Sequence, residues 1–156
     1  MISVFVAGLP VPQGSMKPVT LPGRKYSVLV SANKNLKPWR KAVAESWAVR
    51  QGAEFKRIHR PDAVLVKLAF WFPRPAGHFT KRGHLKASAP THFTVKPDVD
   101  KLERAILDAL TIAGAYDDDA QVVAVIKQKR YVTDFQRTPG VRISLEANPI
   151  LDDGAQ

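Results

Sequence analysis

Apolar positions along this chain alternate between two periods. The opening run I-S-V-F-V-A predicts a first strand over Ile2–Ala7, closed by Gly8. The loop that follows, L-P-V-P-Q-G-S-M-K-P, carries prolines and a glycine that forbid regular structure, and a short second strand is expected over 25–30. Pro38 suits the first turn of a helix, and Trp39, Val43 and Trp47 then recur at four-residue spacing until Gly52. These tryptophans read as a core face rather than as platforms for bases.

The stretch A-V-L-V-K-L-A-F-W-F, 63–72, is β-branched and aromatic, with Val64, Val66, Leu68, Phe70 and Phe72 on one face and Lys67 on the other, so a central strand is expected. From Val99 the period changes to that of a helix. Leu102, Ile106, Ala109, Leu110 and Ala113 form one apolar stripe that Gly114 stops. V-V-A-V-I-K-Q-K-R-Y-V and V-R-I-S-L-E-A, separated by a T-P-G turn, predict two closing strands, the first basic in its second half.

These elements give the order β-α-β-(long basic loop)-α-β-β. The expected fold is α/β of the α+β kind: a single domain over 1–148, a mixed sheet of about four to five strands with two helices on one face, and a polar tail over 149–156. At 156 residues and 45% hydrophobic, the chain is long enough for one sizeable core and short for two. It has no cysteine, which excludes a disulfide framework and thiolate metal sites. No apolar stretch reaches the roughly 18 residues of a membrane span, and the first residues lack a charged leader. A cytoplasmic protein that does not engage a membrane is expected.

The formal net charge is +10, but it is unevenly distributed. Residues 1–97 hold 17 Lys and Arg against 3 acids, whereas residues 98–119 hold 2 against 7. A surface this basic fits DNA, RNA or an acidic membrane almost equally well. The 25 residues 73–97 carry Arg74, Lys81, Arg82, Lys86, Lys96 and three histidines with no acid, and are expected to form a mobile arm that orders on a phosphate backbone. Lys17, Lys127, Lys129 and Arg130 extend the candidate DNA-binding set. His78, His84 and His92 have no zinc-like spacing, and no P-loop, nucleophile elbow or dinucleotide fingerprint is present.

The acids admit two readings. Asp98 after Pro97 suits a helix N-cap, Asp100 suits the first turn, and Asp117, Asp118 and Asp119 suit a solvated turn. Taken together in an otherwise acid-poor chain, they are also what a phosphate-cutting metal site requires: carboxylates to hold hard cations, with cations around them to hold DNA.

The run P-D-V-D-K-L-E-R-A-I-L-D-A-L-T-I-A-G-A-Y-D-D-D-A-Q-V resembles the core of the RusA-type Holliday junction resolvases, small bacterial and phage endonucleases with the pattern D-x-D-N-L-x-K, D-A-L-x-x-A-G and D-D-A-Q-V. The resemblance implies a Mg2+-dependent homodimer, with Mn2+ able to substitute, that makes paired symmetrical cuts in a four-way junction during DNA recombination and repair. By position it implies Asp98, Asp100 and Asp119 as metal-binding catalytic carboxylates, with Asp118, the paired neighbour of Asp119, a further metal ligand and Asp117 extra.

Two positions depart from the pattern. Lys101 stands where Asn is usual, and Arg104 stands where the family has its functional lysine. Arg neutralises charge but is a poor proton donor, which leaves Lys101, on the same side of the helix one turn back, to take that role. The alternative is a non-catalytic basic protein that binds branched DNA without cutting.

Overall fold

The long apolar run becomes β4 (Val64–Phe72), an interior strand of the sheet, as expected. A computed structural model of the chain describes residues 1–20, 27–31, 33–54 and 56–150. β4 pairs antiparallel with β6 (Gly140–Ala147) on one side and parallel with β5 (Val122–Tyr131) on the other. β1 (Ile2–Ala7) adds antiparallel to β6, so the order is β1-β6-β4-β5.

The alternation along β4 decides which face is covered. Val64, Val66, Leu68, Phe70 and Phe72 are buried in one core with Trp39, Val43 and Trp47 of α1 (Leu36–Glu54) and Leu102, Ala105, Ile106, Ala109 and Leu110 of α2 (Val99–Ala113). Both helices therefore pack on one side of a mixed sheet, the arrangement that the apolar periods predict. The other face is closed by smaller devices: Ser144 donates to Ser3 at 2.9 Å, Lys67 pairs with Glu146 at 3.3 Å, and Arg142 lies over the Trp71 ring. Gly140 starts β6 where a Cβ would fall 2.3 Å from the Val6 carbonyl oxygen and 2.6 Å from the Phe5 ring, so only glycine allows β1 and β6 to close there.

Three expectations change. The loop after Gly8 is not wholly irregular: β2 (Met16–Thr20) pairs antiparallel with β3 (Ser27–Ser31) as a separate hairpin, with Pro18 inside it. A two-stranded ribbon has only edge strands, where proline is tolerated. The expected strand over 25–30 is realised from Ser27, its first two residues lying outside the described ones, as does the tail from 151.

The arm over 73–97 has structure of its own. A single 3-10 turn at Ala76–His78 leads into a small loop closed by Thr80 N–H to His84 O at 2.8 Å and Lys86 N–H to His78 O at 2.9 Å. Phe93 then returns the chain to the body by stacking on Phe72, centroids 4.1 Å apart. No helix among the described residues is long and apolar enough to cross a membrane.

Candidate active site

Asp98 occupies the N-cap position of α2, with φ −69° and ψ 141°, but its side chain accepts no hydrogen bond from the helix. Its Oδ2 lies instead 3.2 Å from Lys101 Nζ, and both side chains are about half exposed. Asp100 is exposed in the first turn, and among the described residues it has no cationic partner. The helix therefore leaves both carboxylates available. Two exposed oxygen donors two residues apart fit a hard divalent cation that keeps several waters.

The far end of α2 is built differently. Gly114 takes the left-handed conformation, φ 70°, and its N–H returns to Leu110 and Thr111, ending the helix. Ala115 and Tyr116 then plug the core. Burial pushes the Tyr116 hydroxyl up to about 12, and it donates to Leu107 O at 3.1 Å.

The three following acids have three distinct roles. Asp117 clamps the segment before β4: it accepts from Arg60 N–H at 3.0 Å, lies 2.9 Å from Arg57 Nε and contacts His59. The Arg60 N–H bond, helped by the charges of His59 and Arg57, holds its carboxyl below the usual range. Asp118 caps a 3-10 turn at Asp119–Gln121, accepting from Ala120 N–H at 2.8 Å, and this bond likewise lowers its pKa. Asp119 is exposed, and among the described residues no cation pairs with it.

Buried Gln121 organises the turn, accepting from the Asp117 and Asp118 N–H groups and donating to Asp62 O at 3.0 Å.

The clamp gives a pH prediction. A carboxyl lowered on folding stabilises the fold above its unfolded value, near 3.8, and that contribution is lost as pH falls through the folded value. Thermal melts taken between pH 6 and pH 2 should therefore show a smaller acid-induced fall in Tm for Asp117→Asn than for the wild type. Equal falls would mean the clamp is not titrating.

The two ends stay apart within one chain. Lys129 Nζ donates to the Pro97 carbonyl at 2.7 Å, which fixes the head of α2 beside the C-terminal half of β5. Asp119 opens the turn that leads into β5, and seven strand steps, about 23 Å, separate Val122 at the start of that strand from Lys129. Consistent with this, no group of three or more His, Asp or Glu side chains is gathered for a metal among the described residues. Asp98 and Asp100 share the head of α2, at the end of the helix away from Asp119.

The family model for endodeoxyribonuclease RusA matches residues 9–146, from the first loop to the end of β6. The chain belongs to the RusA family. Among curated proteins none matches it. RusA proteins are Holliday junction endodeoxyribonucleases, so the chain is an enzyme of that class and its ligand is junction DNA. The matched span contains the D-V-D head of α2 and the D-D-D turn together.

Within that RusA framework the candidate DNA-binding cations divide into two groups. Arg74 donates to Pro90 O at 2.9 Å and to Val132 O at 3.3 Å and lies 4.8 Å over the Tyr131 ring, so it staples the arm to the body. Lys86 donates to Gly77 O at 2.8 Å, Lys127 pairs with Glu103, and Lys129 holds the Val95 and Pro97 carbonyls. These four are engaged in holding the protein itself.

Lys81, Arg82, Lys96, Arg104 and Arg130 are exposed, the Arg130 side chain donating to Gln128. The side chain of Lys17 lies outside the described residues. Lys81→Ala with Arg82→Ala should lower the salt slope of junction binding by up to about 1.8 units, near 0.9 for each phosphate that is no longer neutralised. An unchanged slope in a titration over salt would show that the arm tip points away from DNA.

Periodicity did not reveal a second bridge. Arg40 of α1 pairs with Asp108 of α2 and donates to Gln13 Oε1 at 2.7 Å, while Gln13 N–H bonds to Lys101 O at 2.9 Å. The first loop is thereby fastened to the same turn that carries Asp98. Its signals were present in the sequence, the Gln of P-Q-G and the Asp of D-A-L, but without their partners.

Proposed function

We infer that this protein is a Mg2+-dependent, homodimeric Holliday junction resolvase of the cytoplasm, working in DNA recombination and repair, with Mn2+ able to replace Mg2+. The observation that carries the reading is the head of α2. Asp98 makes no side-chain cap bond and lies 3.2 Å from Lys101, Asp100 is exposed beside it in the first turn, and Lys96 lines the same cavity as Asp98 and Lys101. Asp98 and Asp100 would hold the metal, with Asp119 of a second copy completing the set. A cation held there would supply an activated water and charge neutralisation at the phosphate.

The chain's own residues do the rest. Lys101 lies within reach of the Asp98 carboxylate and can place a mobile proton donor at the leaving oxygen. Arg104, one turn further along, is always charged and adds field without donating a proton. Lys96 extends the cationic rim toward the strand.

The test is a labelled four-way junction incubated with and without Mg2+. Paired symmetrical nicks that need the metal support the reading. Binding without nicks would leave a junction-binding protein whose changes at 101 and 104 had cost it the reaction, and metal-independent nicks would remove the role given to Asp98 and Asp100.

A further inference from the structure

Beside Asp98 lies an open cavity of about 620 Å3, bounded by the first loop, the end of β4 and the head of α2. Pockets of roughly 300–1,000 Å3 with apolar walls and a few placed polar groups are the usual form of a small-ligand site. The stacked Phe72 and Phe93 rings supply one apolar wall, and Leu9 to Pro12 supply another. Leu9 is 60% exposed, so it contributes little to the core. Gln13, Asn33 and Asn35 also line the space, the Gln13 and Asn33 amide oxygens already accepting from Arg40 and from Asn35 N–H, and Lys96, Lys101 and Asp98 edge it.

This wall is held in place. The Gln13 N–H bond to Lys101 and the Gln13 side-chain bond to Arg40 tie the loop to both helices. A pocket formed before binding does not have to be ordered by its ligand.

The ligand that matches has a flat body for apolar walls, an edge that pairs with amides, and an anionic link that leaves past two lysines toward a carboxylate pair. A nucleobase still attached to its sugar and phosphate has all three. We propose that this cavity receives one base unstacked from the junction strand next to the scissile phosphate. The proposal rests on the reading of Asp98 and Asp100 as the cutting site. Unstacking costs a few kcal/mol and costs least where stacking is already interrupted, as at a branch point. Seating the base would draw its phosphate to Lys96, Lys101 and Asp98, and the amides would make cutting depend on which base enters.

The test uses the full-length protein and four-way junctions carrying 2-aminopurine at each of the two nucleotides on either side of the cut, in Mg2+-free buffer. One position should brighten at least about two-fold on binding, because 2-aminopurine is quenched by stacking in the duplex. Leu9→Trp and Val11→Trp, which fill the cavity from its rim, should lose that rise, while anisotropy shows junction affinity within about three-fold of wild type. Two variants at separate points keep the test sound if one folds poorly.

Binding and Mg2+-dependent nicking with no rise at any position, or a rise that survives both variants, would overturn the cavity assignment alone. Loss of the dimer in both variants would give the cavity to a second copy and overturn it as well. A protein that neither binds nor nicks the junction would remove the function proposed above and this inference with it.

Discussion

Asp98→Asn and Asp119→Asn should each slow junction nicking by at least about 100-fold, since a lost metal ligand removes several kcal/mol of transition-state stabilisation. Binding should be unchanged or tighter, because each substitution removes a negative charge from a surface that meets phosphate. Single-turnover nicking in Mg2+ measures the first, and anisotropy with the same junction measures the second. Nicking near the wild-type rate in either variant removes that residue from the metal site. Asp118 makes an informative contrast. Its carboxylate caps the Asp119–Gln121 turn, and asparagine caps about as well as aspartate. Asp118→Asn should therefore keep the turn and most of the activity if capping is its role, and fail like Asp119→Asn if it also ligates.

The difference among these three adjacent aspartates was not legible in the sequence. D-D-D shows an acid-rich turn, but the groups that separate the roles, Arg57, His59 and Arg60, lie nearly 60 residues earlier and carry no local mark of the meeting. The helices and β4 were legible for the opposite reason. Their burial is periodic, so Leu102, Ile106 and Leu110, or Val64, Val66 and Leu68, announce a face without knowledge of what covers it. The basic arm fell between these cases. Its charge was plain, yet Arg74, Lys86 and Lys129 donate to backbone carbonyls, acceptors that every residue has and no sequence distinguishes. Proline misled at β2 because the rule against it concerns interior strands, and an isolated hairpin has none.

Mixing Asp98→Asn subunits with Asp119→Asn subunits should restore nicking that neither protein shows alone. The fifteen residues of α2 span about 22 Å, and β5 runs back along a comparable length, so one chain holds its D-V-D and D-D-D groups at opposite ends. A two-fold axis that sets these helices antiparallel would bring the head of each against the turn of the other and form two equivalent sites, the symmetry that a four-way junction also carries. In a mixed dimer, one site would then receive both asparagines, while the other would keep Asp98 and Asp100 from one subunit and Asp119 from its mate. After free exchange about half the dimers are mixed, each with one intact site, so recovered nicking should reach about a quarter of the wild-type level. The products also carry a signature. With one live site per dimer, the cuts should be single nicks rather than the paired cuts that release linear duplexes. Native mass spectrometry or differently tagged subunits would establish that mixed dimers form. Their formation without any recovered nicking would sink the shared site, because a site closed within one chain leaves every subunit in the mixture dead.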